Sequence, residues 1–256
     1  MNIHLRAYIH FDNCLIYVAG HSPALQFCTN LLKESGFAVL AEPSMEVTHL
    51  LLPVPSFTAE GCIIGGGNLR TLLTLLPKDI VVIGGNLDCP ELVDYRTVDL
   101  LQDADYLAIN ANITAHCAIK VALNKMQTIF DGCQVLVIGW GRIGKCLAKL
   151  LRQMGAEVTV CARRESDRSI LRALGYKAVA YDDAALDRFS VIFNTVPTMV
   201  FPHCPKGALK TDLASKLGLG GDDVIWARGL PGKEAPESSG ALIARSVIPI
   251  LREESL

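Results

Sequence analysis

The chain has 256 residues, 50% of them apolar, with 24 Lys and Arg set against 26 Asp and Glu. That length predicts one or two domains with enough chain for a real core, and a formal net charge of −2 argues against a nucleic-acid surface. No run approaches the roughly 18–20 unbroken apolar residues of a spanning helix, so the mean hydropathy of +0.33 reads as internal, as in a parallel sheet covered on both faces.

The opening MNIHLRAYIHFDNC is interrupted by His4, Arg6, His10, Asp12 and Asn13, which leave no signal-peptide core, so a soluble, cytoplasmic protein is expected. CLIYVAG (14–20) reads as a strand, and Ser22-Pro23 then starts a helix that Gly36 stops. FAVLAE (37–42) and HLLLPV (49–54) read as further strands, EGCIIGGGN (60–68) as a short strand or hairpin, and LRTLLTLL (69–76) as a helix. IVVIGG (80–85) is another strand, followed by a short helix in PELVDY. Strands alternating with helices predict βαβ units and a parallel sheet. The GGN triplets at 66–68 and 84–86 read as turns, because neither has a third glycine spaced into a helix.

The segment ITAHCAIKVALNKMQTIF (113–130) predicts a long helix that starts near Asn112 or Thr114, joins two domains and closes at Asp131-Gly132. A second βαβ pattern follows at once in QVLVIG (134–139), a helix over 142–154 and EVTVCA (157–162). PESSGALIARSVIPILREE (236–254) predicts an amphipathic terminal helix. The expected class is α/β in two domains, each an open, mostly parallel sheet with flanking helices. The expected boundaries are a flavodoxin-like substrate or partner domain (1–111), an interdomain helix (112–131), a Rossmann dinucleotide-binding domain (132–234) and a helix (235–256) that by analogy packs back on the first domain. Nine cysteines, an odd number with no CxxC pair, read as small buried hydrophobes rather than disulfides or a metal site.

The chemistry is carried by Gly139-Trp140-Gly141-Arg142-Ile143-Gly144, a GxGxxG placed between an unbroken β run and an amphipathic helix. Gly139 makes the tight turn, Gly141 lets backbone N–H groups approach a diphosphate, and Gly144 lets the helix pack on the sheet with its positive end facing the phosphates. NAD-binding versions end the next strand with Asp or Glu for the ribose hydroxyls. Here Cys161 is followed by Ala162, Arg163, Arg164, Glu165 and Ser166. An arginine fork suits a phosphate dianion, so NADP is expected over NAD, with Arg163 as the phosphate-binding or stacking residue and Arg164 and Ser166 as helpers. SVIFNTVP (190–197) predicts a later strand whose end, Asn194-Thr195-Val196-Pro197, lines the cofactor crevice. The segments 210–215 and 227–233 are expected to end the next strands beside the nicotinamide.

At these residues the chain resembles the family of bacterial dipicolinate synthase A subunits. The similarity runs from LLLPVPSFTAEG (50–61) through the glycine block to FNTVPTMV, TDLAS and GLPGKEAPESSGALIA. It implies two α/β domains around a cleft and NADP-linked oxidation of dihydrodipicolinate to dipicolinate, the calcium-chelating diacid of spores. It also implies a partner, the flavoprotein-like B subunit. A homodimer is expected. The chain departs from the family between the NTVP and GLPG loops, where a helix on each side of TDLAS is missing, and at Thr114-Ala115-His116-Cys117, which stands where the family has Thr-x-Glu-Gly.

On this reading the nicotinamide carries the redox step and the protein supplies orientation, a diacid clamp and a proton acceptor. His116 is the candidate acceptor, expected at a helix start facing the cleft. Ser56, Thr58, Thr114, Ser215 and Lys233 are candidates for the substrate carboxylates, Arg228 serves either the diacid or an ion pair, and no metal is expected. A dehydrogenase of another small carboxylic acid and a non-catalytic NAD(P)-binding paralogue remain the alternatives.

Overall fold

The computed structural model describes residues 14–253. The expectation drawn from residues 4–13 lies outside them. The chain divides into two compact units, one holding the residues up to Ile109 together with Ala235 onward, the other Asn110–Glu234.

The first unit carries strands β1 (Leu15–Val18), β2 (Ala38–Leu40), β3 (His49–Leu51), β4 (Val81–Gly84) and β5 (Arg96–Asp99), with helices α1 (Pro23–Glu34) and α2 (Leu69–Leu73). All neighbours are parallel, in the order β2-β1-β3-β4-β5. That is the flavodoxin-like winding, with its reversal between β1 and β3. Each residue of β3 and β4 is buried, which explains why their spelling, apolar apart from His49, does not alternate. Helix α1 starts where the Ser22 hydroxyl accepts the Leu25 N–H at 3.1 Å. A later helix of this unit, α7 (Pro236–Glu253), lies against α1. A β-carbon on its Gly240 would run into the Ala24 carbonyl and Phe27, so the close approach needs glycine there.

After β5 in the chain comes α3 (Ala104–Leu123), a correction to the helix expected over 113–130. The Asp103 carboxylate accepts the Tyr106 N–H at 2.8 Å and starts the helix about two turns early, while residues 124–131 are turns. Several shorter elements also shrink. The expected strand over 49–54 stops at Leu51, since Pro53 and Pro55 bring no N–H to a ladder. Residues 60–68 contribute one antiparallel bridge, Phe57 with Ile63, and PELVDY gives a single 3-10 turn over Pro90–Leu92.

The second unit carries β6 (Gln134–Ile138), α4 (Arg142–Gln153), β7 (Glu157–Cys161), α5 (Glu165–Ala173), β8 (Lys177–Val179), β9 (Val191–Asn194), β10 (Leu209–Asp212), β11 (Val224–Trp226) and α6 (Leu230–Glu234). The order β11-β10-β9-β6-β7-β8, parallel throughout, is the doubly wound dinucleotide fold with its reversal between β6 and β9. Among the described residues no helix separates β9 from β10 or β10 from β11. The strand ends at this reversal place the glycine turn and the 194–197 loop side by side.

Candidate functional site

The turn from β6 into α4 is built by its glycines. Gly139 has φ +100°, and a β-carbon there would strike the Thr195 hydroxyl and the Val196 side chain. A β-carbon on Gly144 would strike the Gly139 carbonyl. Gly141 is different: around a β-carbon there the space is open to 4 Å. It is the N-cap of α4, with no side-chain cap bond and no acid in the first turn, so the leading N–H groups of that helix face open space. Arg142 is exposed and Ile143 half-buried beside it. A diphosphate fits this opening, and the residues present suit a nicotinamide dinucleotide.

The 194–197 segment supports the turn more than it offers ligands. Asn194 is fully buried. Its Nδ2 donates to the Val196 carbonyl and to Asp212 Oδ2, each at 3.0 Å, and its Oδ1 accepts the Val196 N–H. Thr195 donates its hydroxyl to the Ile138 carbonyl at 2.8 Å. Pro197 is exposed. Of the four residues expected on the cofactor, Asn194 and Thr195 thus have side chains committed to the protein. Asp212, read only as part of the TDLAS turn, organises the neighbouring loop. Besides Asn194, its carboxylate accepts the N–H groups of Ala214 at 3.0 Å, Gly218 at 2.7 Å and Leu219 at 3.1 Å.

At the end of β7, Ala162 is buried and Arg163, Arg164, Glu165 and Ser166 are exposed. Arg164 forks onto Asp167 at 2.9 and 3.3 Å, so it is paired within α5. Glu165 is paired with Arg172 and with Arg168, whose Nη2 lies 2.6 Å from Oε2. These two guanidiniums, Arg172 foremost, hold the Glu165 carboxyl below its ordinary range. Arg163 makes no hydrogen bond or ion pair through its side chain among the described residues, although its charge bears on Tyr181. Nothing in the sequence singles out Arg168, yet its Nη1 donates to the carbonyls of Ala162 and Arg163, both at 2.7 Å.

Beyond β10 and β11, Ser215 and Lys233 are exposed. Trp226 Nε1 donates to the Ala214 carbonyl at 3.0 Å and ties the two loops together. The Arg228 guanidinium lies 5.1 Å from the Trp226 ring centre and, among the described residues, makes no ion pair.

Other candidates have side chains already engaged. The Ser56 hydroxyl, fully buried, donates to the Pro53 carbonyl at 2.8 Å and accepts the Gly85 N–H at 3.0 Å. Thr114 is buried and donates to the Asn110 carbonyl one helical turn back. Thr58 is exposed, its hydroxyl bonded to Glu60. His116 lies well inside α3 and not at its start, since the helix begins at Ala104; its ring is exposed. Burial pushes the Cys28 and Cys161 thiols up to about 12. Among the described residues no group of three His, Cys, Asp or Glu could hold a metal ion, and no helix is long and apolar enough to cross a membrane.

Residues 108–200 match the family model described as "D-isomer specific 2-hydroxyacid dehydrogenase, NAD binding domain". The dipicolinate synthase A subunit of Bacillus subtilis (strain 168) is 25% identical over 238 residues, covering 82% of this chain and 80% of that protein. The crystal structure of the same enzyme's A subunit from Bacillus subtilis superposes with TM-score 0.78 at 21% identity, over 94% of this chain and 96% of that one. The A subunit from Bacillus halodurans gives TM-score 0.79 at 22% identity, over 95% and 98%. The chain therefore has the fold of the dipicolinate synthase A subunit and resembles that protein in sequence. Its NAD(P)-binding domain of 2-hydroxyacid dehydrogenase type supports an oxidoreductase.

Proposed function

We propose that the chain is an NADP-dependent oxidoreductase of the dipicolinate synthase A type that oxidises dihydrodipicolinate to dipicolinate. One observation carries the cofactor choice. At the corner after β7 both acids are held, Glu165 by Arg168 and Arg172 and Asp167 by Arg164, while the exposed Arg163 side chain has no hydrogen-bond or ion-pair partner among the described residues. An unphosphorylated ribose finds no ready acceptor there, whereas a 2′-phosphate finds a guanidinium.

The α4 N–H groups above Gly141 would hold the diphosphate, with Ile143 and Ala162 against the adenosine and Ser166 beside Arg163. Once bound, the dinucleotide supplies a hydride acceptor. Dihydrodipicolinate gives up a hydride and a proton, and the aromatic ring formed makes a strong base unnecessary. His116 is our proton acceptor, chemically available on the exposed side of α3. Arg228, Ser215 and Lys233 follow the ends of β10 and β11 and would take the substrate carboxylates. We place the protein in the cytoplasm as a homodimer whose partner is a flavoprotein-like B subunit. Partner binding is assigned to the first unit.

The test is turnover: purified protein with dihydrodipicolinate and oxidised NADP should produce absorbance at 340 nm, and His116→Ala should slow it. The helix-free stretches on both sides of β10 favour a second reading, a dehydrogenase of another small carboxylic acid. Reduction of a 2-oxo acid without dihydrodipicolinate turnover would establish that reading instead. Tight dinucleotide binding with no hydride transfer at all would mark a non-catalytic paralogue.

A further inference from the structure

The corner between β7 and α5 contains a denser set of charges than a dinucleotide fold needs. Arg168 sits at its centre with a side chain only 15% exposed, unusual for an arginine on a short surface helix. All three of its nitrogens have targets. Nη1 holds the carbonyls of Ala162 and Arg163 at 2.7 Å each, while Nε and Nη2 hold Glu165 Oε2 at 2.9 and 2.6 Å. Glu165 Oε1 is taken by Arg172 and lies 3.4 Å from the Ser169 hydroxyl, which itself accepts from Arg172 at 3.2 Å.

We infer that Arg168 is a specificity-positioning residue: it fixes the backbone that presents Arg163 and, with Arg172, locks Glu165 away from the ribose position. This rests on the dinucleotide site proposed above, and deepens it. The chemistry behind it is a competition. A carboxylate close behind the second strand is the group that selects an unphosphorylated ribose and repels a 2′-phosphate. Glu165 lies four residues after Cys161, within reach of that role if the loop relaxes, and its side chain is 63% exposed. Two devices oppose that. The carbonyl bonds from Arg168 stop the loop from relaxing, and the paired guanidiniums leave no oxygen of Glu165 unengaged. Cofactor choice is then set by an arginine that touches no cofactor.

The experiment measures dissociation constants for NADPH and NADH with the full-length protein and four variants: Arg168→Ala, Arg168→Ala with Glu165→Gln, Arg168→Lys, and Arg172→Ala. Losing one set of charge-assisted bonds should weaken NADPH about tenfold in Arg168→Ala. NADH should bind severalfold tighter in the same variant, and Glu165→Gln added to it should remove that gain. Arg168→Lys keeps a cation beside Glu165 and should restore most of the NADPH affinity. Should Arg168→Ala fold poorly, Arg172→Ala decides, because that side chain is half exposed and holds no loop carbonyl. It should tighten NADH to a smaller degree, again through Glu165. Equal weakening of both dinucleotides by Arg168→Ala, or an NADH gain that survives Glu165→Gln, would overturn the inference. The NADPH preference of the unaltered protein judges the cofactor reading separately, since the Glu165-dependent change in NADH affinity can be read whichever dinucleotide that protein prefers.

Discussion

Thr195 closes the back of the glycine turn: its hydroxyl, bonded to the Ile138 carbonyl at 2.8 Å, occupies the place where a β-carbon on Gly139 would stand. Gly139 and Gly141 are thus glycines for opposite reasons, one facing protein and one facing open space. Gly139→Ala should destabilise the second unit by about 2–4 kcal/mol, summing left-handed strain and overpacking. Gly141→Ala should leave the denaturation midpoint nearly unchanged yet weaken dinucleotide binding about tenfold or more, because the methyl stands where the diphosphate approaches. Chemical denaturation and calorimetric titration of the two variants check the contrast.

Ser56→Ala should behave as a stability mutant and not as a substrate mutant. Removing the hydroxyl leaves the Gly85 N–H buried without its acceptor, at a cost of about 1–3 kcal/mol. The KM for substrate should stay within about twofold, since a change near 0.4 kcal/mol is the most that an intact loop would transmit. Denaturant melts set beside steady-state kinetics separate the two roles.

Asp212→Ala should loosen two loops at once. It strips the acceptor from Asn194 and from the N–H groups of Ala214, Gly218 and Leu219, so about 3 kcal/mol of stability should go with it. Hydrogen exchange should accelerate at residues 214–219, and the 194–197 loop should lose order with Asn194 released.

Glu165 gives a pH signature with a definite sign. Its folded-state carboxyl is held below the ordinary value, by Arg172 first and then Arg168. The stabilisation from this pairing is therefore complete above about pH 4.3, the unfolded value, and is lost as pH falls through the lower folded one. Carboxyl-carbon NMR should show Glu165 titrating below the ordinary glutamate range, and Arg172→Ala should move it upward.

Much of the second unit is readable because its signals are local. Three spaced glycines, a β run before them and an apolar helical stripe after them all fall within one short stretch of chain, and all concern the same turn. Helix α5 carries no such stripe: among its residues only Leu171 is buried, while Ile170 is exposed. The polar strand β5 exists by pairing with β4, which nothing in Arg-Thr-Val-Asp announces. The sequence pattern puts the start of α3 too late because Asn110 and Asn112 resemble loop residues, whereas the Asp103 cap lies further back. Hydroxyl and carboxylate side chains are the hardest case. Ser56, Thr114 and Asp212 have the chemistry of ligand-binding groups, and only their backbone partners in the fold reveal that they are used internally. Sequence spacing carries no information about those partners.

The most direct measurement compares NADPH and NADH binding to the unaltered protein and to Arg163→Ala by titration at low ionic strength, where the phosphate contact is least screened. The account predicts NADPH binding at least about tenfold tighter, a margin expected of one charge-assisted contact, and near-equal affinities once the guanidinium is gone. Equal affinity of the unaltered protein for the two dinucleotides, or a preference untouched by Arg163→Ala, would contradict it.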